Sequence, residues 1–308
     1  MKALVYKSTG SWYIVKNSFG RQYNARIKGV LKIDGITSTN PIAVGDEVII
    51  EIENEIENTA TIIEVCTRKN YVARQSPHNK RQHHIIASNL AQSLLFATIT
   101  NPVTSTGFID RFLCSCEMFH IPAVIVFNKS DLYKEKDVEK FEQLKNIYTT
   151  VGYKVILTSL INGNGIEEIK NILSNKTTLL SGHSGVGKSS FLNIVFPELN
   201  LRTQEVSSWS GKGLHTTTFA EMFDIKDEGR IIDTPGIREL GLTGITKQEL
   251  SGYFPEIKAE ISHCKFNNCM HINEPACAVK NALQQGKIFE ERYINYLKIL
   301  DTIKDNNY

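Results

Sequence analysis

The chain has 308 residues, with 35 Lys plus Arg against 33 Asp plus Glu and 41% hydrophobic side chains. That suffices for packed cores in two or three domains. No apolar run approaches the roughly 20 residues of a membrane-spanning helix, and Met1 to Lys7 lacks the apolar stretch of a secretory signal. A soluble cytoplasmic protein with no membrane partner, by default a monomer, is expected.

Charge is unevenly distributed. Residues 1 to 33 hold seven Lys or Arg and no acid. Residues 65 to 109 also lack acids but carry Arg68, Lys69, Arg74, Lys80 and Arg81. Acids crowd residues 46 to 64. Such segregation suits a basic surface for a polyanion as well as it suits a plain solvated face.

In chain order, short β-strands come first. Ser11 to Val15, Gln22 to Ile27, Glu47 to Ile52 and Thr59 to Val65 read as strands separated by turn residues. An all-β barrel of the oligonucleotide-binding (OB-fold) type over residues 1–71 fits this length. Residues 72 to about 88 read as a polar, basic connector. Buried-strand runs then alternate with helical spacing: Leu94 to Ile99, Ala123 to Phe127, Val155 to Leu157, Leu179-Leu180 and Ile231-Ile232. Helical periodicity appears at Val138, Phe141, Leu144, Ile147 and Val151, with Gly152 as the cap, and again at Ile166, Ile169, Ile172 and Leu173. This alternation predicts an α/β domain on a largely parallel sheet, over residues 72–240. From 241 to 308 only helical patterns remain. Gln284-Gln285-Gly286 closes one helix, and Phe289, Tyr293, Tyr296, Leu297, Leu300 and Ile303 mark the face of another.

Each chemical motif follows one of these strand runs, where ligands of α/β sheets sit. Asn128-Lys129-Ser130-Asp131 matches N-K-x-D. The Asp131 carboxylate can accept from N1–H and N2–H₂ of guanine, a pair adenine does not offer, and an unpaired carboxylate penalises the wrong base. Thr158-Ser159 follows the next run and is expected to offer a backbone N–H to the base. Gly182-His183-Ser184-Gly185-Val186-Gly187-Lys188-Ser189, continuing into Ser190, is a complete phosphate loop. Its glycines let backbone N–H groups face phosphate oxygens, Lys188 reaches the β and γ phosphates, and Ser189 holds Mg²⁺. Gly213-Leu214-His215-Thr216-Thr217-Thr218 occupies the place of a switch loop, with Thr217 favoured as the magnesium ligand. Asp233-Thr234-Pro235-Gly236 supplies a magnesium carboxylate and, at Gly236, an N–H for the γ-phosphate.

The residue after Gly236 is Ile237, where many GTPases carry a glutamine that orients water. Slow intrinsic hydrolysis is therefore expected, with His215 the nearest titratable candidate for a catalytic role. Finally, Cys264-x₄-Cys269-x-His271-x₅-Cys277 offers the Cys₃His set of a closed, structural Zn²⁺ site, one per chain.

The order is unusual: the guanine element precedes the phosphate loop, as if the domain had been cut and rejoined. With this order, the His215-Thr216-Thr217-Thr218 and Asp233-Thr234-Pro235-Gly236 segments and the Cys/His cluster, the chain resembles the RsgA (YjeQ) family of circularly permuted GTPases over nearly its whole length. The resemblance implies an N-terminal OB-fold barrel, a permuted GTPase domain and a C-terminal α-helical zinc-binding domain. It also implies GTP hydrolysis stimulated by the small (30S) ribosomal subunit during late assembly, contacts to its rRNA, and a catalytic part for the histidine falling at His215. One departure is His183, where the family pattern has glutamine. An ATPase, or an RNA-binding scaffold with an inert nucleotide, are the competing readings. Asp131 argues against the first; Lys188, Ser189 and Asp233 argue against the second.

Overall fold

The computed structural model describes residues 1–27, 41–75, 83–199, 220–225, 229–234, 242 and 244–303. The N-terminal strands are β1 (Lys2–Ser8), β2 (Tyr13–Asn17), β3 (Gln22–Ile27), β4 (Glu47–Asn54) and β5 (Thr59–Val65). They run in the order β1-β2-β3-β5-β4, and β4 returns onto β1 to close a barrel. Alternation along the strands sends Val5, Val15, Ala25, Val48, Ile50 and Ile62 inward, the period-2 pattern of a filled small barrel. The OB-type expectation holds.

The connector does not read as expected. Tyr71–Gln75 (β6) and His83–Ser88 (β7) form an antiparallel hairpin. Val72, Ala73, Ile85, Ile86 and Ala87 are buried, so these apolar residues, scattered among polar and basic ones, pack rather than solvate. The hairpin is fastened to the barrel at Asp46, fully buried. Its carboxylate accepts from Arg68 Nε at 2.7 Å, Ser88 Oγ at 2.6 Å and the Ala43 N–H at 2.8 Å.

The central domain comprises β8 (Gln92–Ala97), α1 (Thr106–Met118), β9 (Ala123–Phe127), α2 (Glu135–Val151), β10 (Lys154–Leu157), α3 (Ile166–Leu173), β11 (Thr177–Ser181), α4 (Lys188–Val195), β12 (Glu221–Asp224) and β13 (Arg230–Asp233). Strand order is β10-β9-β8-β11-β13-β12, parallel except for β12. Both faces are covered. Leu95, Ala97, Ile125 and Phe127 face α1 and α2; Leu94, Phe96, Val124 and Val126 face α3 and α4. Burial on two faces is why these strands read as continuous apolar runs. Beyond β12 the sheet continues into the barrel, because β1 pairs with β12 at Lys7 and Glu221.

The C-terminal part holds α5 (Lys247–Leu250), α6 (Pro255–Ile261), α7 (Ala278–Gln284) and α8 (Glu290–Thr302). Leu250, Phe254, Ile257, Val279, Tyr296 and Ile299 share one core, which Cys114 of α1 also enters. A buried polar cluster crosses the same seam. Asp110 of α1 accepts from Arg292 Nη1 at 2.6 Å, Asn295 Nδ2 at 2.7 Å and Tyr148 Oη at 2.9 Å. Glu256 takes the Arg292 Nε at 2.6 Å. Among the described residues, no helix is long and apolar enough to cross a membrane.

Candidate functional site

The phosphate loop leaves β11, in the middle of the parallel strands. Gly182 has φ +135, and a Cβ there would sit 2.4 Å from the Phe96 carbonyl oxygen. Gly187 has φ +97 and would collide with Asn128 Nδ2 at 2.4 Å. Both positions need glycine for conformation and for space. Val186 is fully buried in the core beneath the loop, whereas Ser184 and Ser190 are exposed. Gly187 ends the loop as the cap of α4, so Lys188 and Ser189 begin that helix. The Lys188 ammonium donates to the carbonyls of Gly182 and His183, the latter at 3.1 Å. Burial lowers its pKa, and Asp233 pulls it back up.

The guanine element sits beside this loop. Asn128, at the end of β9, is buried and donates from Nδ2 to the Val186 carbonyl at 2.9 Å. Two segments 58 residues apart in the chain are thereby joined by one hydrogen bond. Lys129 adopts a left-handed conformation, φ 65, and its ammonium donates to Asn101 O at 2.6 Å. Ser130 N donates to Thr158 O at 3.1 Å. Asp131 is exposed and accepts from Ser159 Oγ at 2.5 Å. Ser159 N–H is given to Asn164 O at 3.1 Å. Ser159 thus contacts the guanine element through its hydroxyl.

His183 fills the variable second position of the loop. Its Nε2 lies 2.7 Å from Thr104 Oγ1, and its ring packs edge-on against Phe108 at 5.6 Å. Thr104 Oγ1 in turn accepts the Thr98 N–H at 3.0 Å. The loop is therefore braced on the start of α1, a contact invisible in the motif.

Asp233 ends β13 next to the loop. Burial pushes its carboxyl up, Lys188 and the Thr234 N–H pull it down, and Glu221 pushes it up again. Ser189 and Asp233, a hydroxyl and a carboxylate flanking Lys188, are a donor set that suits a hard cation. His215, Thr217 and Gly236 lie outside the described residues.

The second constellation is at the C-terminal end. The ligand atoms of Cys264, Cys269, His271 and Cys277 all lie within 4.8 Å of one another. His271 Nδ1 is 3.7 Å from Cys264 Sγ and 3.4 Å from Cys277 Sγ. A tetrahedral site with Zn–S near 2.3 Å and Zn–N near 2.0 Å has S···N edges of about 3.6 Å. Burial lowers the His271 pKa, favouring the neutral ring a metal needs, and pushes the Cys269 thiol up to about 12. Bare buried thiols of that kind gain from a cation that takes them as thiolates. The loop carrying the ligands is held from two sides. Glu274 accepts the Met270 and Ile272 N–H groups, each at 2.7 Å. Tyr296 Oη of α8 donates to Met270 O at 2.9 Å.

Comparison with known proteins gives a consistent result. The profile of the RsgA GTPase family matches residues 65–243, and that of the RsgA N-terminal domain matches residues 2–62. The small ribosomal subunit biogenesis GTPase RsgA of Flavobacterium psychrophilum is 50% identical, over 98% of this chain and 93% of that protein. The protein of the same name from Phocaeicola vulgatus is 47% identical, over 100% and 99%. Among solved structures, YjeQ from Thermotoga maritima superposes with a TM-score of 0.79 at 32% identity, covering 99% of both chains. YloQ, a circularly permuted GTPase, gives 0.74 at 29%, covering 100% of this chain and 96% of that one.

Proposed function

The chain belongs to the RsgA family of circularly permuted GTPases and hydrolyses GTP, and from that premise we infer that it acts on the small ribosomal subunit, which stimulates its hydrolysis and from which it is then released. The observation that carries the reading is the Asn128–Val186 hydrogen bond, which joins the guanine element to the phosphate loop across the permuted order. In this reading Asp131, steadied by the Ser159 hydroxyl, selects guanine. Backbone N–H groups of Gly182 to Ser189 and the Lys188 ammonium hold the phosphates. Ser189, Asp233 and Thr217 would hold Mg²⁺, which neutralises charge between the β and γ phosphates when bound. Gly236 senses the γ-phosphate. Ile237 leaves the attacking water without a glutamine, so turnover of the free protein is slow and His215 takes its catalytic part when the subunit is bound.

The domain boundaries of this reading are 1–71, 72–240 and 241–308. The basic start of the barrel binds rRNA phosphates, an attraction that salt weakens. Cys264, Cys269, His271 and Cys277 hold one structural zinc, and the protein works as a cytoplasmic monomer. Segment 237–240 joins the γ-phosphate sensor to the zinc domain, so loss of phosphate loosens the ribosome contact. GTP turnover with and without purified small subunits tests the reading. Stimulation by the subunit is expected, and so is a GTP-bound form that holds the subunit more tightly than the GDP-bound form. Equal turnover in both conditions, or equal affinities, would refute it.

A further inference from the structure

We propose that Lys7 of the barrel and Glu221 of β12 are positioning residues for Asp233, so that the seating of the barrel tunes how tightly the nucleotide site holds its cation. Three strands meet in one register row: Lys7 of β1 opposes Glu221 of β12, and Glu221 opposes Asp233 of β13. Directly opposed residues share a face of the sheet, with Cβ atoms about 4.5–5.5 Å apart. Lys7 Nζ lies 2.8 Å from Glu221 Oε2, with the side chains 24% and 33% exposed. Water therefore screens this pair only in part. Lys7–Glu221 is also the one register pair between barrel and nucleotide sheet among the described residues. The same seam is fastened further along β12, where Tyr6 Oη donates to Asp224 at 2.6 Å and Lys16 reaches the same carboxylate.

Among the described residues, three charges bear on this row beside Asp233. Lys188 comes from α4, Glu221 from β12, and Lys7 from another domain. Glu221, directly opposed to Asp233 across the β12–β13 pairing, adds negative potential there, which favours a cation. Lys7 cancels part of that potential while the barrel is seated. A force that draws β1 from β12 separates Lys7 from Glu221 and strengthens the cation site; a force that closes the seam weakens it. The barrel thereby reports on the magnesium position without passing through the switch loop. The inference rests on reading Asp233 as the cation carboxylate.

The test reads cation binding rather than turnover: retention of a fluorescent GDP analogue on the full chain as free Mg²⁺ is varied. Glu221→Gln raises the half-saturating Mg²⁺ concentration about two- to five-fold, the scale of a half-buried ion pair. Lys7→Gln lowers it by a similar factor. The double variant lies between the two single variants, because the two charges act on the Asp233 position with opposite sign. Tyr6→Phe, which loosens the seam between β1 and β12, shifts the curve in the same direction as Lys7→Gln and by less. Wild-type curves for both single variants, shifts of the two in the same direction, or a Tyr6→Phe curve that moves opposite to Lys7→Gln would each overturn the proposal. Asp233→Asn separates the two levels. If it weakens the cation while the other variants do nothing, only this inference fails; if it too is silent, the assignment of Asp233 fails with it.

Discussion

The nucleotide pocket and the seam between α1 and α8 are both built on buried polar contacts, yet only the first announces itself in the sequence. The pocket is made of backbone. Gly182 and Gly187 allow turns that a Cβ would block at 2.4 Å, and a loop of this kind offers a phosphate its main-chain N–H groups. Backbone geometry is encoded by neighbouring residues, so it leaves a short, readable pattern. The seam is made of side chains. Arg292 is 182 residues from Asp110 and carries no local signature. Its charge sits in a helix whose exposed positions hold similar charges. What the contrast teaches is that local spacing reports sites that bind through the main chain, while domain docking through buried charge is visible only once the chain is folded.

The sharpest way to break that contrast is to remove the arginine. Arg292 is 1% exposed and satisfies Asp110 and Glu256 together. Arg292→Ala leaves two acids buried without their cation, and stability is expected to fall by about 3–5 kcal/mol, the usual cost of halving a buried pair. Denaturant unfolding followed by tryptophan fluorescence and by circular dichroism checks this. A loss under about 1 kcal/mol would mean the seam is wet and the cluster decorative. Nucleotide affinity in the folded fraction should not change, since no member of the cluster touches the phosphate loop.

The same division explains which elements could be read from the chain. Strands β8 and β9 were legible because both faces are apolar. Helix α2 was legible through Phe141 and Leu144, although Val138, on the expected stripe, is 47% exposed. Helix α1 escaped, because its buried side includes Asp110, Ser115, Cys114 and Cys116, residues that dilute an apolar stripe. The hairpin β6–β7 escaped for a related reason: its buried residues are interleaved with charged and polar ones in a segment that looked like a linker. Strand β12 is four residues long and pairs across domains, too short for a period to show. In the site, Asn128, Lys188 and the cysteines were readable as motifs. The Ser159–Asp131 and Thr104–His183 contacts were not, because hydroxyls leave no spacing signal.

Two substitutions sharpen the pocket side of the comparison, with smaller expected effects. Asp131→Asn keeps size and shape but exchanges an acceptor for a donor, and GTP affinity should drop by about 1–3 kcal/mol, roughly 5- to 150-fold, without loss of stability. Equilibrium binding of GTP and ATP to the variant measures it; an unchanged preference for GTP would remove Asp131 from base selection. Gly187→Ala places a Cβ against Asn128 Nδ2 in a backbone with φ +97. The strain, on the order of 1–3 kcal/mol, should weaken GTP and GDP equally, because it acts on the shared loop and not on the γ-phosphate. A selective loss of GTP would show that the Asn128–Val186 link is not what holds the loop.

The smallest effect concerns the other domain seam, where the barrel meets β12. Burial pushes the Asp224 carboxyl up, but hydrogen bonds from Lys16 and Tyr6 and the charge of Arg230 outweigh it, so its pKa lies below the ordinary carboxylate value. A carboxyl held down in the folded state contributes stability above its unfolded pKa, about 3.9, and loses it as pH falls through the folded value. Wild type should therefore exceed Asp224→Asn by a constant margin from pH 7 to about 5, and the margin should close below about pH 4. Urea unfolding at stepped pH measures that margin. Because Asp224 is 41% exposed, salt should shrink the margin at neutral pH as well, whereas the Arg292 cluster, at most 9% exposed at its ion-paired side chains, should keep its contribution in the same salt. A margin that does not fall as pH drops below about 4, or that ignores salt, would place the Asp224 contact with the buried class and erase the distinction between the two seams.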